Sequence, residues 1–225
     1  MQLNKPLDFR SVKIDSRMKD FSFIDLNLME YDDALAFQKS LVRKKADGKH
    51  DDYVIFVEHF PVITLGNKGS ELNLLVDRDE LTKNGVSISR TDRGGDITYH
   101  GPGQLVCYPI INLKTYRTDV RWYISKLEEI IINICLAFHI QASTRPGMRG
   151  VWVEEEKIAS IGVRITKWIT YHGFALNANT NLSHFDLIVP CGLEGVKMTS
   201  IQKITGSSVD MLALKEITKN SFSLF

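Results

Sequence analysis

No apolar run in this chain is long enough to cross a bilayer. The longest, Ile130 to Ile140, is interrupted by Asn133 and His139 and falls well short of the ~20 residues that a spanning helix requires. Residues 1–20 carry eight charged side chains and no apolar core segment; no secretion signal is read there, and a cytoplasmic location is expected. An excess of one charge is missing too: 28 Lys+Arg against 27 Asp+Glu leave +1, so no whole-molecule field favours nucleic acid or an anionic membrane, and neither is expected as a partner. Cysteine is scarce. Three residues, Cys107, Cys135 and Cys191, with no C-x-x-C, argue against a disulfide framework and against a cysteine zinc site. Also absent are G-x-x-x-x-G-K-[ST] and a G-x-G-x-x-G that opens a helix, the two phosphate cradles. What is present is 225 residues with 44% apolar side chains, enough for one sizeable core and incompatible with disorder.

Along the chain, residues 1–22 lack an apolar period and read as an N-terminal extension, leaving 23–225 as one folded domain. Residues 31–46 place Ala34, Phe37 and Leu41 at helical spacing, with Asp32 and Asp33 in front and Arg43, Lys44 and Lys45 behind, as a helix dipole favours. A longer helix begins near Asp119, where Tyr123, Leu127, Ile130, Ile131, Ile134 and Phe138 recur in steps of three and four; a last one is expected over 208–219, with Val209, Leu212 and Ile217 as its stripe and a serine cap. Strands are expected at 53–58 and 61–65, paired with each other, and at 86–90, 96–99, 104–111, 151–153, 157–165 and 168–177. Strands on both sides of one long helix, without β-α alternation, predict a single α+β domain with a mixed sheet and packed helices.

Chemistry concentrates in three places. Arg93 to Gln104 holds four glycines, an Arg, a Tyr and a His between strand-like segments; tight turns would explain the glycines alone, but not their company. Its Ile97-Thr98-Tyr99-His100-Gly101 recurs as Ile169-Thr170-Tyr171-His172-Gly173. Alternation would put Thr98 and His100 on one strand face and Ile97, Tyr99 and Gly101 on the other, and divide the second copy the same way, so that both strand ends line one cavity. Chance reuse of a β-favouring string is the plainer reading. Cys107 and Cys135 lie in apolar segments and read as buried, inert thiols. Cys191 differs: Pro190-Cys191-Gly192 follows the strand-like Leu187 to Val189, a turn that suits an exposed nucleophile with backbone N–H groups nearby for an oxyanion. An ordinary turn cysteine is as good a reading of that fragment. A thiol of reference pKa ~8.5 is only ~3% thiolate at pH 7. Lys157, which opens a strand of small and apolar residues, could supply the missing cation, or could simply pair with Glu155 or Glu156 at an edge.

Ordered strings over Phe23 to Ile217 are together specific: Glu58 to Val62 with Leu65-Gly66, Arg93 to Gln104, Lys157 to Arg164, Tyr171 to Asn177, Pro190-Cys191-Gly192 and Thr199-Ser200-Ile201. On these the chain resembles the octanoyltransferases of lipoate biosynthesis. The resemblance implies a biotin/lipoate protein ligase-like α+β fold and transfer of an octanoyl group from octanoyl-acyl carrier protein, through a thioester on Cys191, to a lysine of lipoyl domains. The acceptors would be 2-oxoacid dehydrogenase E2 subunits and the glycine cleavage H protein. Lys157 would lower the thiol pKa and shuttle protons. Arg93, Gly94, Gly95, Asp96, Ile97, Thr98, Tyr99, His100, Ser160, Ile161, Gly162, Gly173, Phe174 and Ala175 would bind the acyl substrate, with His172 and Gly192 in support. No metal or cofactor is implied, and a monomer is expected. Asp96, where a neutral residue is common, and Cys107, where glycine is usual, depart from the family's pattern, and the first bears on the electrostatics of the pocket. An ATP-dependent ligase on the same fold would not need Cys191, and a non-catalytic acyl-binding module would need neither Cys191 nor Lys157. An acidic partner would call for a local basic face, for which Arg43, Lys44, Lys45, Arg149, Arg164 and Lys167 are candidates.

Overall fold

The computed structural model describes residues 16–18, 21–48, 51–192 and 195–225; residues 1–15, the larger part of the expected extension, lie outside the described residues, as do the side chains of 16–18 and Cys191. In chain order the elements are β1 (Ser16–Met18), β2 (Phe21–Met29), α1 (Tyr31–Ala46), β3 (Asp52–His59), β4 (Val62–Leu65), α2 (Arg78–Lys83), β5 (Ser87–Arg90), β6 (Ile97–His100), β7 (Gln104–Ile110), α3 (Val120–Ala137), β8 (Ser143–Arg145), β9 (Met148–Val153), β10 (Glu156–Thr166), β11 (Ile169–Asn177), β12 (Lys197–Met198), α4 (Ile201–Thr205) and α5 (Met211–Ser221). Nine strands form a mixed sheet in the order β1-β2-β3-β7-β11-β10-β9-β8, with β12 also on β10; β5-β4-β6 form a second, smaller sheet. The α+β class expected from the sequence is the one observed.

Period-two alternation explains how the large sheet is covered. Val54 and Phe56 on β3 join Leu105 and Cys107 on β7 beneath Tyr123, Leu127 and Ile131 of α3. The intervening Ile55, Val57, Val106 and Tyr108 meet Ala34, Phe37 and Leu41 of α1 on the opposite face. With helices on both faces, every residue of β11 is buried, and its apolar run needs no polar side. Asp119 caps α3, accepting from the amides of Arg121 and Trp122 at 2.8 and 3.1 Å. No helix among the described residues is long and apolar enough to cross a membrane.

Several sequence expectations are corrected. β3 and β4 do not pair: β3 sits between β2 and β7, while β4 turns into the small sheet between β5 and β6. Phe60 and Pro61 end one strand, and the register of the next is set by partners far along the chain. The division expected at residue 22/23 falls inside β2, where Phe21 already packs into the core. The last helix starts at Met211 behind an Asp210 cap, and Leu212, expected on its buried stripe, is 70% exposed while Leu214 is buried. Leu187 to Val189 is no strand; a 3-10 turn ends at Leu187, and Ile188 makes a single bridge to Leu74. Lys45 leaves the basic face altogether, buried in an ion pair with Asp52.

Candidate active site

Two facts about the backbone open a space between the sheets. The β7–β11 ladder stops at Phe174↔Cys107, because Pro109 has no N–H with which to continue it. The Thr170 hydroxyl closes part of the gap, donating to the Pro109 carbonyl at 2.7 Å and accepting from the Ile111 amide at 2.9 Å. At the open rung His172 takes φ +56, turning its N–H to the Gln38 side chain of α1 at 2.8 Å. Opposite, Gly94 donates to the Val163 carbonyl of β10 at 2.9 Å, and a Cβ on Gly162 would lie 2.8 Å from the Gly94 carbonyl oxygen. Glycine at both places is what lets the Arg93–Gly95 loop lie flat against the sheet.

The resulting cavity has a volume of about 270 Å³, at the small end for ligand pockets. Arg93, Gly94, Gly95, Asp96, Ile97, Thr98 and His100 line it from the loop and β6, Lys157, Ser160, Ile161 and Gly162 from β10, and His172, Gly173, Phe174 and Ala175 from β11. All the expected acyl-site residues meet there except Tyr99. That ring faces the other way, into the core of the small sheet against Phe185, with its hydroxyl on His184 Nδ1 at 2.7 Å; burial pushes its pKa up to about 12. Both echoed histidines reach the cavity from different sheets, but the second copy does not divide by alternation, since the turned backbone at His172 brings both His172 and Gly173 to the wall. Tyr31, Val106, Tyr108, Gly147 and Met148 also line it and were not singled out in the sequence. Arg149 lines it too, having been named only for the basic face.

Lys157 is only 3% exposed. Its ammonium lies 5.5 Å from the centroid of the Trp152 ring, within cation–π reach. Gly150 makes its berth: at φ +115, it leaves empty the place where a Cβ would come within 2.6 Å of Lys157 Cε. Behind it, burial raises the Glu128 carboxyl above its ordinary range, with Arg149 and Lys157 pulling the other way. Lys157 is thus no edge residue. Its carbonyl accepts from the Thr199 amide at 2.9 Å, and its register partner on β12 is Met198, so the chain returning from the Cys191 turn runs alongside it. Cys191 itself occupies a 3-10 turn, Pro190–Gly192. Of the backbone donors expected there, Gly192 N–H is already given to the Val189 carbonyl at 3.0 Å and Pro190 has none. Cys107 and Cys135 are both buried; burial drives the Cys107 thiol well up and Cys135 to about 12, so neither ionises readily.

The histidines at and behind the polar end of the cavity are pushed toward the neutral form by burial. His59 donates Nδ1–H to the Met29 carbonyl at 2.9 Å and accepts the Tyr108 hydroxyl at 2.8 Å; burial lowers its pKa to about 4. His100 gives Nδ1–H to Gln104 Oε1 at 2.7 Å, and burial holds it well below its ordinary value. His172, lowered mainly by burial, donates Nε2–H to Asp92 at 2.9 Å; that bond, with the Tyr171 hydroxyl, holds the Asp92 carboxyl far below its usual range. Arg93 is spent structurally, donating to the Thr64 carbonyl at 2.6 Å and its hydroxyl at 2.8 Å.

A buried cation on a half-open, partly apolar cavity, close to a turn that carries a cysteine, suits acyl-group chemistry better than phosphate or metal chemistry. Residues 30–223 match the lipoyl protein ligase A/B catalytic domain, and the chain belongs to that family. Among its relatives, the octanoyltransferase of Syntrophotalea carbinolica is 47% identical over 191 residues, covering 85% of this chain and 87% of that protein. The octanoyltransferase of Desulforamulus reducens is 43% identical over 187 residues, covering 83% and 82%. This chain is accordingly an enzyme, an acyltransferase. A solved lipoate-protein ligase A bound with ATP shares the fold, with a TM-score of 0.68 at 17% identity over 90% of this chain and 83% of that one.

Proposed function

We propose that the enzyme transfers an octanoyl group from octanoyl-acyl carrier protein to a lysine of lipoyl domains, by way of a thioester on Cys191. The observation that carries this reading is Lys157, a buried lysine on the wall of a partly apolar cavity whose strand runs beside the segment returning from the cysteine turn. In the first step the Cys191 thiolate attacks the donor carbonyl, a new C–S bond forms, and the donor C–S bond breaks. The departing thiolate takes a proton from the Lys157 ammonium. In the second step the acceptor amine attacks the thioester, Lys157, now neutral, accepts the amine proton, and Cys191 leaves as thiolate, which restores the starting charges. Thioester exchange is close to thermoneutral and amide formation is downhill, so no nucleotide is consumed. Ile97, Val106, Met148, Ile161, Phe174 and Ala175 give the cavity an apolar share; at ~0.8 kcal/mol per buried CH₂, chain length is worth several kcal/mol of discrimination.

Incubation with octanoyl-acyl carrier protein, followed by intact mass spectrometry, tests the reading. An octanoyl adduct is expected on the parent and not on Cys191→Ser, and Lys157→Ala should slow both its formation and its transfer at neutral pH. Transfer that strictly requires ATP and a free acid would overturn it in favour of ligation.

A further inference from the structure

Among the described residues Asp96 is the one acidic side chain on the cavity wall, and its surroundings tie it to the cysteine turn. Its Oδ2 accepts from Asn73 Nδ2 at 2.9 Å and its Oδ1 from the Ser70 amide at 3.3 Å. Asn73 in turn accepts the Val189 amide at 2.8 Å through its own carbonyl, and the Leu75 amide donates to the Leu187 carbonyl at 2.9 Å. The segment leading into Pro190 is therefore sewn to the Ser70–Leu75 loop, and that loop to Asp96. On the far side of the turn Gly192 holds φ +65, and a Cβ there would lie 2.5 Å from Asp96 Oδ2 and 3.2 Å from Asn73 Nδ2. The carboxylate fills the space that a side chain at 192 would need, which places its oxygen about 4 Å from the Gly192 Cα and within about 8 Å of the Cys191 Cα.

From this placement we infer that Asp96 is a positioning residue for the nucleophile: it seats the Pro190–Gly192 turn against β6 and opposes, by its charge, the acidifying effect of Lys157 on the Cys191 thiol. The inference rests on the reading of Cys191 as the acyl carrier. Its chemical sense is balance. A cation alone would make the thiolate abundant but sluggish, since nucleophilicity falls with pKa and attack is fastest when the thiol titrates near ambient pH. A carboxylate at this range disfavours the thiolate and returns the thiol toward that optimum. Among the described residues, the other charged or titratable groups near the turn are Arg93, Arg149, Lys157, His100, His172, Tyr31 and Tyr108 on the cavity wall, with Glu128 behind Lys157. On the outer side, Glu156, Asp186, Lys197 and Lys203 line the groove that Pro190 borders. All of these stay in place when Asp96 alone is changed.

The test is the pH dependence of Cys191 alkylation by iodoacetamide on the full native chain, read by intact mass, with Cys191→Ser as the blank; the buried Cys107 and Cys135 do not compete. Asp96→Asn keeps the shape and an acceptor but loses the charge. Its thiol is expected to titrate about one pH unit lower, roughly tenfold more thiolate on the acid limb, and the acid limb of octanoyl transfer should move with it. Asp96→Ala should shift the titration likewise and also lower the plateau rate, which the asparagine variant restores. Asp96→Ser, smaller and equally neutral, provides the same reading should the asparagine variant fail to fold. A neutral variant whose thiol titrates with the parent, while the octanoyl adduct still forms, overturns the role of Asp96 alone. A shifted titration with no octanoyl adduct in the parent overturns the transfer reading and leaves Asp96 as a modulator of the thiol.

Discussion

Gly150→Ala probes the berth of Lys157 without touching its charge. The new methyl would stand 2.6 Å from Lys157 Cε and 3.2 Å from Nζ, and against the Ala159 carbonyl oxygen. Carbon–carbon contact needs about 3.5–4 Å, so the lysine stem must retreat by about 1 Å. A catalytic group misplaced by that much costs on the order of 100-fold in rate, equivalent to about 2.7 kcal/mol of lost transition-state stabilisation. The backbone suffers separately: φ +115 is a region that non-glycine residues occupy only at ~1–3 kcal/mol, or about 4–8 °C of Tm for a 2 kcal/mol loss in a domain of this size. Gly206→Ala separates the two effects, since Gly206 sits at φ +73 with nothing within 4 Å of its Cβ position. Single-turnover octanoyl transfer and thermal melting should therefore show both losses in Gly150→Ala and only the thermal loss in Gly206→Ala. A Gly150→Ala enzyme that melts early yet turns over at the parental rate would refute the claim that this glycine sets the position of Lys157.

Three further outcomes follow from the same contacts. His59 is held neutral, with a folded pKa of about 4 against 6.5 when unfolded. The unfolded state therefore binds more protons between those values, and the stability present above pH 6.5 is lost as pH falls toward 4, by about 3 kcal/mol from this residue. Urea midpoints at pH 7 and pH 4.5 should differ by less in His59→Gln than in the parent; equal differences would count against it. Asp52 pairs with Lys45 at 2.5 Å, both side chains less than 10% exposed; Asp52→Ala leaves the buried ammonium without its counter-charge, held by the Asp51 carbonyl at 2.7 Å, and should cost about 3–5 kcal/mol, visible as a Tm lower by about 10 °C. Tyr99→Phe removes only the bond to His184 and should cost about 1 kcal/mol while transfer rates stay within about twofold of the parent; a larger kinetic loss would place Tyr99 in the acyl site after all.

Tyr99 also shows which kind of sequence reasoning reached the site. Strand alternation alone separated it from Thr98 and His100, and the structure agrees; carrying a whole motif across by resemblance swept it in. Arg93, Lys157 and the glycines were legible because their chemistry is at odds with a plain strand or turn. Tyr31, Tyr108 and Met148 were not, since nothing local distinguishes a tyrosine or methionine that faces a cavity from one that faces a core. The failed pairing of β3 with β4 has the same root: adjacency in sequence favours a hairpin, but each strand finds its partners far along the chain, β3 between β2 and β7 and β4 between β5 and β6. Alternation failed at His172 because a proline on the neighbouring strand removed a rung, an effect invisible in the residues of β11 itself.

Arg93 deserves a last consequence. Its guanidinium grips Thr64, a residue of the small sheet that does not itself touch the cavity, while its side chain forms part of the cavity wall. Local opening of β4 cannot then proceed without loosening the wall, and whatever fills the cavity also holds β4 shut. In hydrogen-exchange terms the small sheet and the cavity wall breathe as one unit, so slow amides on β4 are a gauge of occupancy read at a distance from the ligand.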